Sequence, residues 1–284
     1  MSIEPERIVD LSRYPIADLS SPQGRAVIAK GRAALAGDGL ALLPGFIRPE
    51  ALALMAAEAQ ALTPKAFRRD EWYGVYSYDP DDAATAALPE GDPRRRRFRS
   101  RMGAIAYDLL PEGSPIRRLY EWPALTRFIA ALTGEAELHT CADPLASCVI
   151  SVLEPGDSHA WHYDQNDFVV SLLLQSAERG GLFEYAPNIR SEGDENVAGV
   201  ARMLEGDPRL RRIGAIEPGC LALFRGQRSL HHVTEVEGSR ARLIALFSYD
   251  RKPGMMFTPD VHLRALGRTL ETFTDKANPV CSEA

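Results

Sequence analysis

Five short apolar runs constrain the fold most: ASCVISVLEPGD, FVVSLLLQ, GGLFEYAP, GCLALFRG and RARLIALFSYD, all between residues 146 and 250. They are short, β-rich as a set and separated by turn signals, which predicts strands. Several such strands at this spacing predict a sandwich or barrel. One stretch interrupts them, NIRSEGDENVAGVARMLEGDP (188–208), polar at first and helical around Val197 to Leu204. Upstream the pattern differs. Ser20-Ser21-Pro22 reads as a cap followed by proline in a first turn, so 22–36 is predicted helical up to Gly37. GLALLPGFI (39–47) is another short apolar run, 49–62 an alanine-rich helix, and 114–134 a helix closed by Gly134. Residues 63–97 hold prolines, aspartates and glycines without periodicity and are predicted to be a long loop, the kind that serves as a lid or binding loop.

The expected organisation is a single domain over 1–284: a mainly helical part at 1–136 with the loop 63–97, a strand core at 137–255 interrupted at 188–208, and a C-terminal extension at 256–284. A chain of 284 residues with 45% hydrophobic content can bury a sizeable core. The net charge of −6 gives no footprint of a nucleic-acid binder, and Arg94 to Arg97 read as a solvated charged face. Cys141, Cys148, Cys220 and Cys281 lack CxxC spacing and are expected as reduced thiols. No segment reaches the roughly 18 apolar residues of a membrane span, and no secretory h-region opens the sequence, so a cytoplasmic location is the expectation. A homodimer is the default assembly.

Trp161-His162-Tyr163-Asp164 contains an HxD pair, and residues two apart on a strand share a face, so imidazole and carboxylate can bind one ion together. A distal histidine would complete a facial triad of two histidines and one carboxylate, which binds non-haem Fe(II) and leaves positions open for a co-substrate and O2. Two adjacent candidates exist. His232 is favoured over His231 because the His232-Val233 start is the more regular, although neighbours on a strand point opposite ways. Arg242 enters a strongly apolar strand, where its guanidinium would be buried unless a carboxylate ligand such as the distal end of 2-oxoglutarate neutralises it. Arg240 competes for that role and ranks second because it precedes the apolar run. A cupin-like binding protein or a zinc hydrolase could use the same triad, but has no stated use for a buried arginine there.

The sequence resembles the Fe(II)/2-oxoglutarate dioxygenase superfamily, and within it the branch of free amino acid (lysine-type) halogenases and their hydroxylase relatives. The resemblance runs through DPRRRRFRSRMGAIAYDLLPEGSPIRRLY, DPLASCVISVLEPGDSHAWHYDQNDFVVSLLLQ, GGLFEYAPNIRSEGDEN and PGCLALFRGQRSLHHVTEVEGSRARLIALFSYD. It implies an α+β fold, a double-stranded β-helix (jelly-roll, cupin-like) with N-terminal helices packed outside. It also implies iron on His162, Asp164 and His232, and 2-oxoglutarate on Arg242. Halogenases of this branch have glycine at the position of Asp164, where chloride binds; a carboxylate there implies a hydroxylase. The substrate implied is a small molecule, a free amino acid, with desaturation or cyclisation as alternative outcomes. His159 falls where the relatives' histidine meets the substrate carboxylate, and Arg99 and Arg101 are the candidates for their upstream arginine. The acidic residue that follows the metal motif in lysine-acting relatives is Gln165 here; Asp143, Asp167 or Asp250 could supply the missing charge.

Overall fold

The structure is a computed structural model and describes residues 3–76, 83–166 and 168–271. Its main strands are β1 (Leu40–Leu43), β2 (Phe67–Gly74), β3 (Arg97–Ile105), β4 (Cys148–Leu153), β5 (His159–His162), β6 (Val169–Gln175), β7 (Phe183–Ala186), β8 (Arg212–Gly214), β9 (Leu221–Phe224), β10 (Leu230–Val233) and β11 (Arg242–Phe247). They form a seven-stranded sheet in the order β1-β9-β6-β11-β4-β3-β2 and a four-stranded sheet in the order β8-β7-β10-β5. Every paired strand is antiparallel. All five apolar runs named at the outset supply strands: β4, β6, β7, β9 and β11.

Alternation along the large sheet explains why these runs are apolar on both faces. One face, with Val152, Val170, Leu172, Leu174, Leu223, Leu243 and Ala245, joins the main core. The other face, with Ser151, Leu153, Ser171, Ala222, Phe224, Ile244 and Leu246, turns toward the four-stranded sheet and lines a cavity between the two. Helices α1 (Pro22–Gly37), α2 (Pro49–Leu62), α3 (Pro115–Tyr120) and α4 (Pro123–Thr133) contribute Leu35, Met55, Leu119 and Phe128 to the same main core. Each fully buried side chain of this kind stabilises the fold by about 1.5–3 kcal/mol.

Local signals behave as their chemistry predicts. Pro22 starts α1, and Ser21 Oγ accepts the Gly24 N–H at 3.0 Å. Gly134 ends α4 with φ 82°. The predicted helix at 114–134 is two helices, because Pro123 cannot continue the first and opens the second. Residues 197–204 form α5 (Val197–Leu204) as expected.

The reading of 63–97 as a loop is corrected. It contains β2, which pairs with β3 from Phe67↔Ala104 to Gly74↔Arg97; residues 77–82 of it lie outside the described residues. Its charged, exposed outward positions masked the alternation. The part before residue 137 is thus more than a helical coat, since β1, β2 and β3 belong to the large sheet. In the C-terminal extension, α6 (Pro259–Leu266) packs on β2 and β3, and residues 272–284 lie outside the described residues. Cys141, Cys148 and Cys220 are buried free thiols; Cys281 lies outside the described residues. Among the described residues no helix is long and apolar enough to cross a membrane.

Candidate metal centre

Register builds the centre. Across the β5–β10 ladder His162 stands directly opposite His231, and opposed residues share a face. Asp164, two residues beyond His162, turns to the same side, and its Oδ1 lies 3.7 Å from His162 Nε2 and 3.5 Å from His231 Nε2. One ligand atom from each of the three falls within 4.8 Å of the others, the single group of this kind among the described residues. Both imidazoles are aimed by the backbone: His162 Nδ1 lies 2.7 Å from the Ala160 carbonyl and His231 Nδ1 lies 3.0 Å from the Ser229 carbonyl. With each Nδ1 donating, each Nε2 presents its lone pair to the centre, the arrangement that supports metal-binding histidines.

The expectation for His232 is corrected here. His232 is opposite Glu184 of β7, on the other face of the strand, and its Nε2 lies 2.9 Å from Glu184 Oε2. Its ring stacks on Trp161 with centroids 3.7 Å apart. Period-2 counting back from Val233, which lines the cavity, reaches His231, so H-x-V is the informative spacing and His232-Val233 is not.

Electrostatics suit a cation. Burial and the neighbouring His231 push the His162 pKa down to about 4, so its ring is neutral near pH 7. Burial raises the Asp164 carboxyl, but His231 and His162 more than reverse this and hold it below its ordinary value. Gly226 lets the carboxylate sit there: a Cβ at residue 226 would collide with Asp164 Oδ2, and the Gly226 carbonyl accepts the Asp164 N–H at 3.1 Å. Three donors of this charge and softness fit a divalent first-row metal with open positions.

Two chambers meet at these residues. The inner one, about 150 Å³, lies between the sheets and is lined by His159, His162, Asp164, His231 and Arg242 among apolar side chains. Arg242 is 4% exposed and has no hydrogen-bond or ion-pair partner among the described residues; burial alone pushes its pKa down to about 10. Gly181, with φ 60°, makes room for its stem. Arg240, its competitor, donates to the Ser176 and Ala177 carbonyls instead. The outer chamber, about 330 Å³, shares His159, His162 and Asp164 and adds Arg69, Trp72, Tyr73, Gln165 and Arg264.

The substrate-contact expectations divide. His159 and Gln165 line the outer chamber, and burial drives the His159 pKa well below its ordinary value. Arg99 and Arg101 do not reach it. They occupy the outward positions of β3, where Arg99 pairs with Asp70 at 2.5 Å and Arg101 with Asp157 at 2.7 Å. Asp250 pairs with His139 in a separate two-stranded ladder and accepts the Lys252 N–H at 2.7 Å, so it lines neither chamber. Asp143 is spent on His262 at 2.5 Å, and Asp167 lies outside the described residues. Sequence reasoning missed Arg69. It is opposite Met102, which lines the inner chamber; its Nη1 lies 3.4 Å from Tyr73 Oη, its Nη2 3.1 Å from Met102 Sδ, and its buried Nε has no hydrogen-bond partner among the described residues. A period-2 reading of 67–74 would have found it, had that segment been taken as a strand.

Two facing antiparallel sheets with a histidine–carboxylate centre between them define the class, and comparison with known proteins gives it a family. The Halogenase D (HalD) family model matches residues 88–256, so the chain belongs to that family. No curated protein sequence matches it. Among solved structures it is similar to the non-heme alpha ketoglutarate dependent epimerase SnoN from nogalamycin biosynthesis, at 16% identity over 80% of this chain and 83% of that one, TM-score 0.53. It is similar to the carbocyclase SnoK of the same biosynthesis, at 16% identity over 84% and 90%, TM-score 0.53. AviO1 from Streptomyces viridochromogenes Tue57 is similar at 18% identity over 83% and 97%, TM-score 0.52. At these identities the likeness is one of fold.

Proposed function

We propose that the chain is an Fe(II)- and 2-oxoglutarate-dependent oxygenase, built on a double-stranded β-helix, that hydroxylates an unactivated C–H bond of a free amino acid or similar small polar molecule. His162, Asp164 and His231 would hold the iron, and Arg242 the distal carboxylate of 2-oxoglutarate. The observation that carries this reading is Arg242: a buried guanidinium with no partner among the described residues, opening into the same chamber as the triad. Leaving such a charge uncompensated is costly, and a bidentate carboxylate ligand removes that cost. When bound, iron with 2-oxoglutarate and O2 supplies the oxidising power, with succinate and CO2 as by-products.

This chain's own residues shelter, orient and select. The apolar inner walls, Leu153, Val169, Phe183, Phe224, Ile244 and Leu246, keep water from the co-substrate. His159 and Arg69 offer polar contacts to a small substrate in the outer chamber, whose volume suits one. Asp164 separates this chain from a halogenase reading despite the family's name. Its carboxylate already fills the third ligand position, so no vacancy is left for chloride and hydroxylation is the favoured outcome.

Two measurements test the reading. Anaerobic Fe(II) plus 2-oxoglutarate should give the weak visible charge-transfer band of the chelate, and its absence in the wild-type chain would sink the cofactor assignment. A screen of free amino acids by succinate release with mass detection should give a product heavier by one oxygen. A product lighter by two hydrogens would replace hydroxylation by desaturation or cyclisation at the same centre, and activity confined to peptides or nucleotides would overturn the substrate class.

A further inference from the structure

The interrupting segment 188–208 lines neither chamber, yet it reaches the centre from behind. Asn188 and Asn196 both take the left-handed conformation at φ 46° and bracket a tight turn. The Asn188 N–H donates to Ser229 Oγ at 2.9 Å, and Asn196 Nδ2 donates to the Ile189 carbonyl at 2.8 Å. Arg190 between them is the most committed residue of the segment. Its N–H donates to the Arg228 carbonyl at 3.2 Å, its Nε to the Gln227 carbonyl at 2.6 Å, and its Nη1 to Glu195 Oε2 at 2.9 Å. The guanidinium carbon stands 3.7 Å from the centre of the Tyr163 ring, a close cation–π contact.

Tyr163 lies between the two candidate ligands His162 and Asp164, and its ring is buried against Val75, Ile189 and Leu230. The 226–229 turn, which Arg190 grips through Gln227 and Arg228, touches the ligands as well. The Gly226 carbonyl accepts the Asp164 N–H, Gly226 forms the surface on which the carboxylate rests, and the Ser229 carbonyl orients His231. One guanidinium is therefore fastened both to the residue before Asp164 and to the residue after Gly226.

We propose that Arg190 is a positioning residue for Asp164, clamping Tyr163 to the 226–229 turn so that the carboxylate is held at the metal. This rests on the assignment of His162, Asp164 and His231 as metal ligands. Supporting residues of this kind typically change metal affinity by about 10–100-fold.

The test is anaerobic Co(II) titration of the full chain, monitored through its visible ligand-field bands, in the wild type, Arg190→Lys, Arg190→Met and Tyr163→Leu. Arg190→Met should bind Co(II) about tenfold more weakly with altered band intensity, and Arg190→Lys should recover part of the affinity. Tyr163→Leu should weaken binding when Arg190 is present and add little in the Arg190→Met background, the non-additivity of a shared device. If Arg190→Met lowers the melting temperature but leaves Co(II) affinity and bands as in the wild type, Arg190 only anchors the segment and the proposal is wrong. Should Arg190→Met fail to fold, unchanged Co(II) affinity in both Arg190→Lys and Tyr163→Leu overturns it equally. A wild-type chain that binds no Co(II) would remove the metal reading first, and this inference with it.

Discussion

The two faces of the β5–β10 ladder carry nearly the same chemistry and do different things. On the inner face His231 approaches Asp164 at 3.5 Å; on the outer face His232 approaches Glu184 at 2.9 Å. What separates them is the hydrogen-bonding capacity left unspent. Inside, each Nδ1 is committed to a backbone carbonyl, and two Nε2 atoms and a carboxylate converge with no direct short bond between them. Outside, His232 closes on Glu184, Glu184 also pairs with Arg211 at 3.0 Å, and Trp161 covers the ring. The outer set is satisfied within the protein; the inner set leaves two lone pairs and a carboxylate converging on one point, the arrangement on which the proposed metal assignment rests.

The largest effect should come from breaking that comparison at its centre. His231→Ala should reduce Fe(II) or Co(II) binding by more than the roughly 100-fold upper range of a supporting residue. His232→Ala should leave metal stoichiometry at one per chain. Metal content after anaerobic reconstitution reads both variants directly, and the reverse ranking would restore His232 as the ligand.

A third histidine–carboxylate pair sharpens the contrast, because it is more deeply buried than either. His262 Nε2 and Asp143 Oδ2 are 2.5 Å apart with both side chains almost wholly enclosed, and Asp143 also accepts the N–H groups of Leu145, Ala146 and Phe257. It fastens α6, which brings Arg264 to the outer chamber. Burial pushes the Asp143 carboxyl up, but those N–H donors and His262 outweigh it and hold the group below 3.8. A depressed carboxyl stabilises the folded state fully above its ordinary value, and that contribution is lost as the pH falls through the lowered one. Asp143→Asn should therefore cost about 3 kcal/mol at neutral pH, a fall in Tm of roughly 6–12 °C. Its acid unfolding limb should also be flatter than that of the wild type below pH 3.8.

A smaller loss is expected from Arg242→Met. Removing one partner of a buried charge pair costs about 2 kcal/mol or more, which is about 30-fold in the dissociation constant of 2-oxoglutarate. Calorimetry on the anaerobic metal-loaded chain measures it. Unchanged affinity would leave the buried guanidinium without a ligand and break the link between the inner chamber and the co-substrate.

Much of this was legible in the sequence because period-2 alternation is strong where both faces of a strand are buried. It gave the five core strands and put Arg242, Ile244 and Leu246 on one face, as the cavity lining shows. The same rule misled where charges decorate a strand. Phe67 to Gly74 reads FRRDEWYG, and its run of four charged residues resembles a loop, which hides Arg69; Arg99 and Arg101 rest on the family resemblance alone, which does not tell the inward from the outward positions of β3. Composition does not separate His231 from His232; what separates them is the face shared with the cavity-lining Val233 and, above all, the cross-strand partner, His162 for one and Glu184 for the other. That partner is a long-range fact of register, and register is set by pairing that no local pattern contains.

The smallest expected effect tests the outer face alone. Glu184→Gln keeps the size and an acceptor for His232 but removes the charge shared with His232 and Arg211, both only partly exposed. A half-buried hydrogen-bonded pair of this kind is worth about 1 kcal/mol, so Tm should fall by roughly 2–4 °C. Burial lowers the His232 pKa and Glu184 partly offsets this, so with the carboxylate gone the ring should titrate lower still, as NMR of the imidazole would show. Co(II) affinity should stay at the wild-type value. A loss of metal on Glu184→Gln would mean that the two faces communicate through the backbone of β10, and the separation between a satisfied pair and an open centre would have to be redrawn.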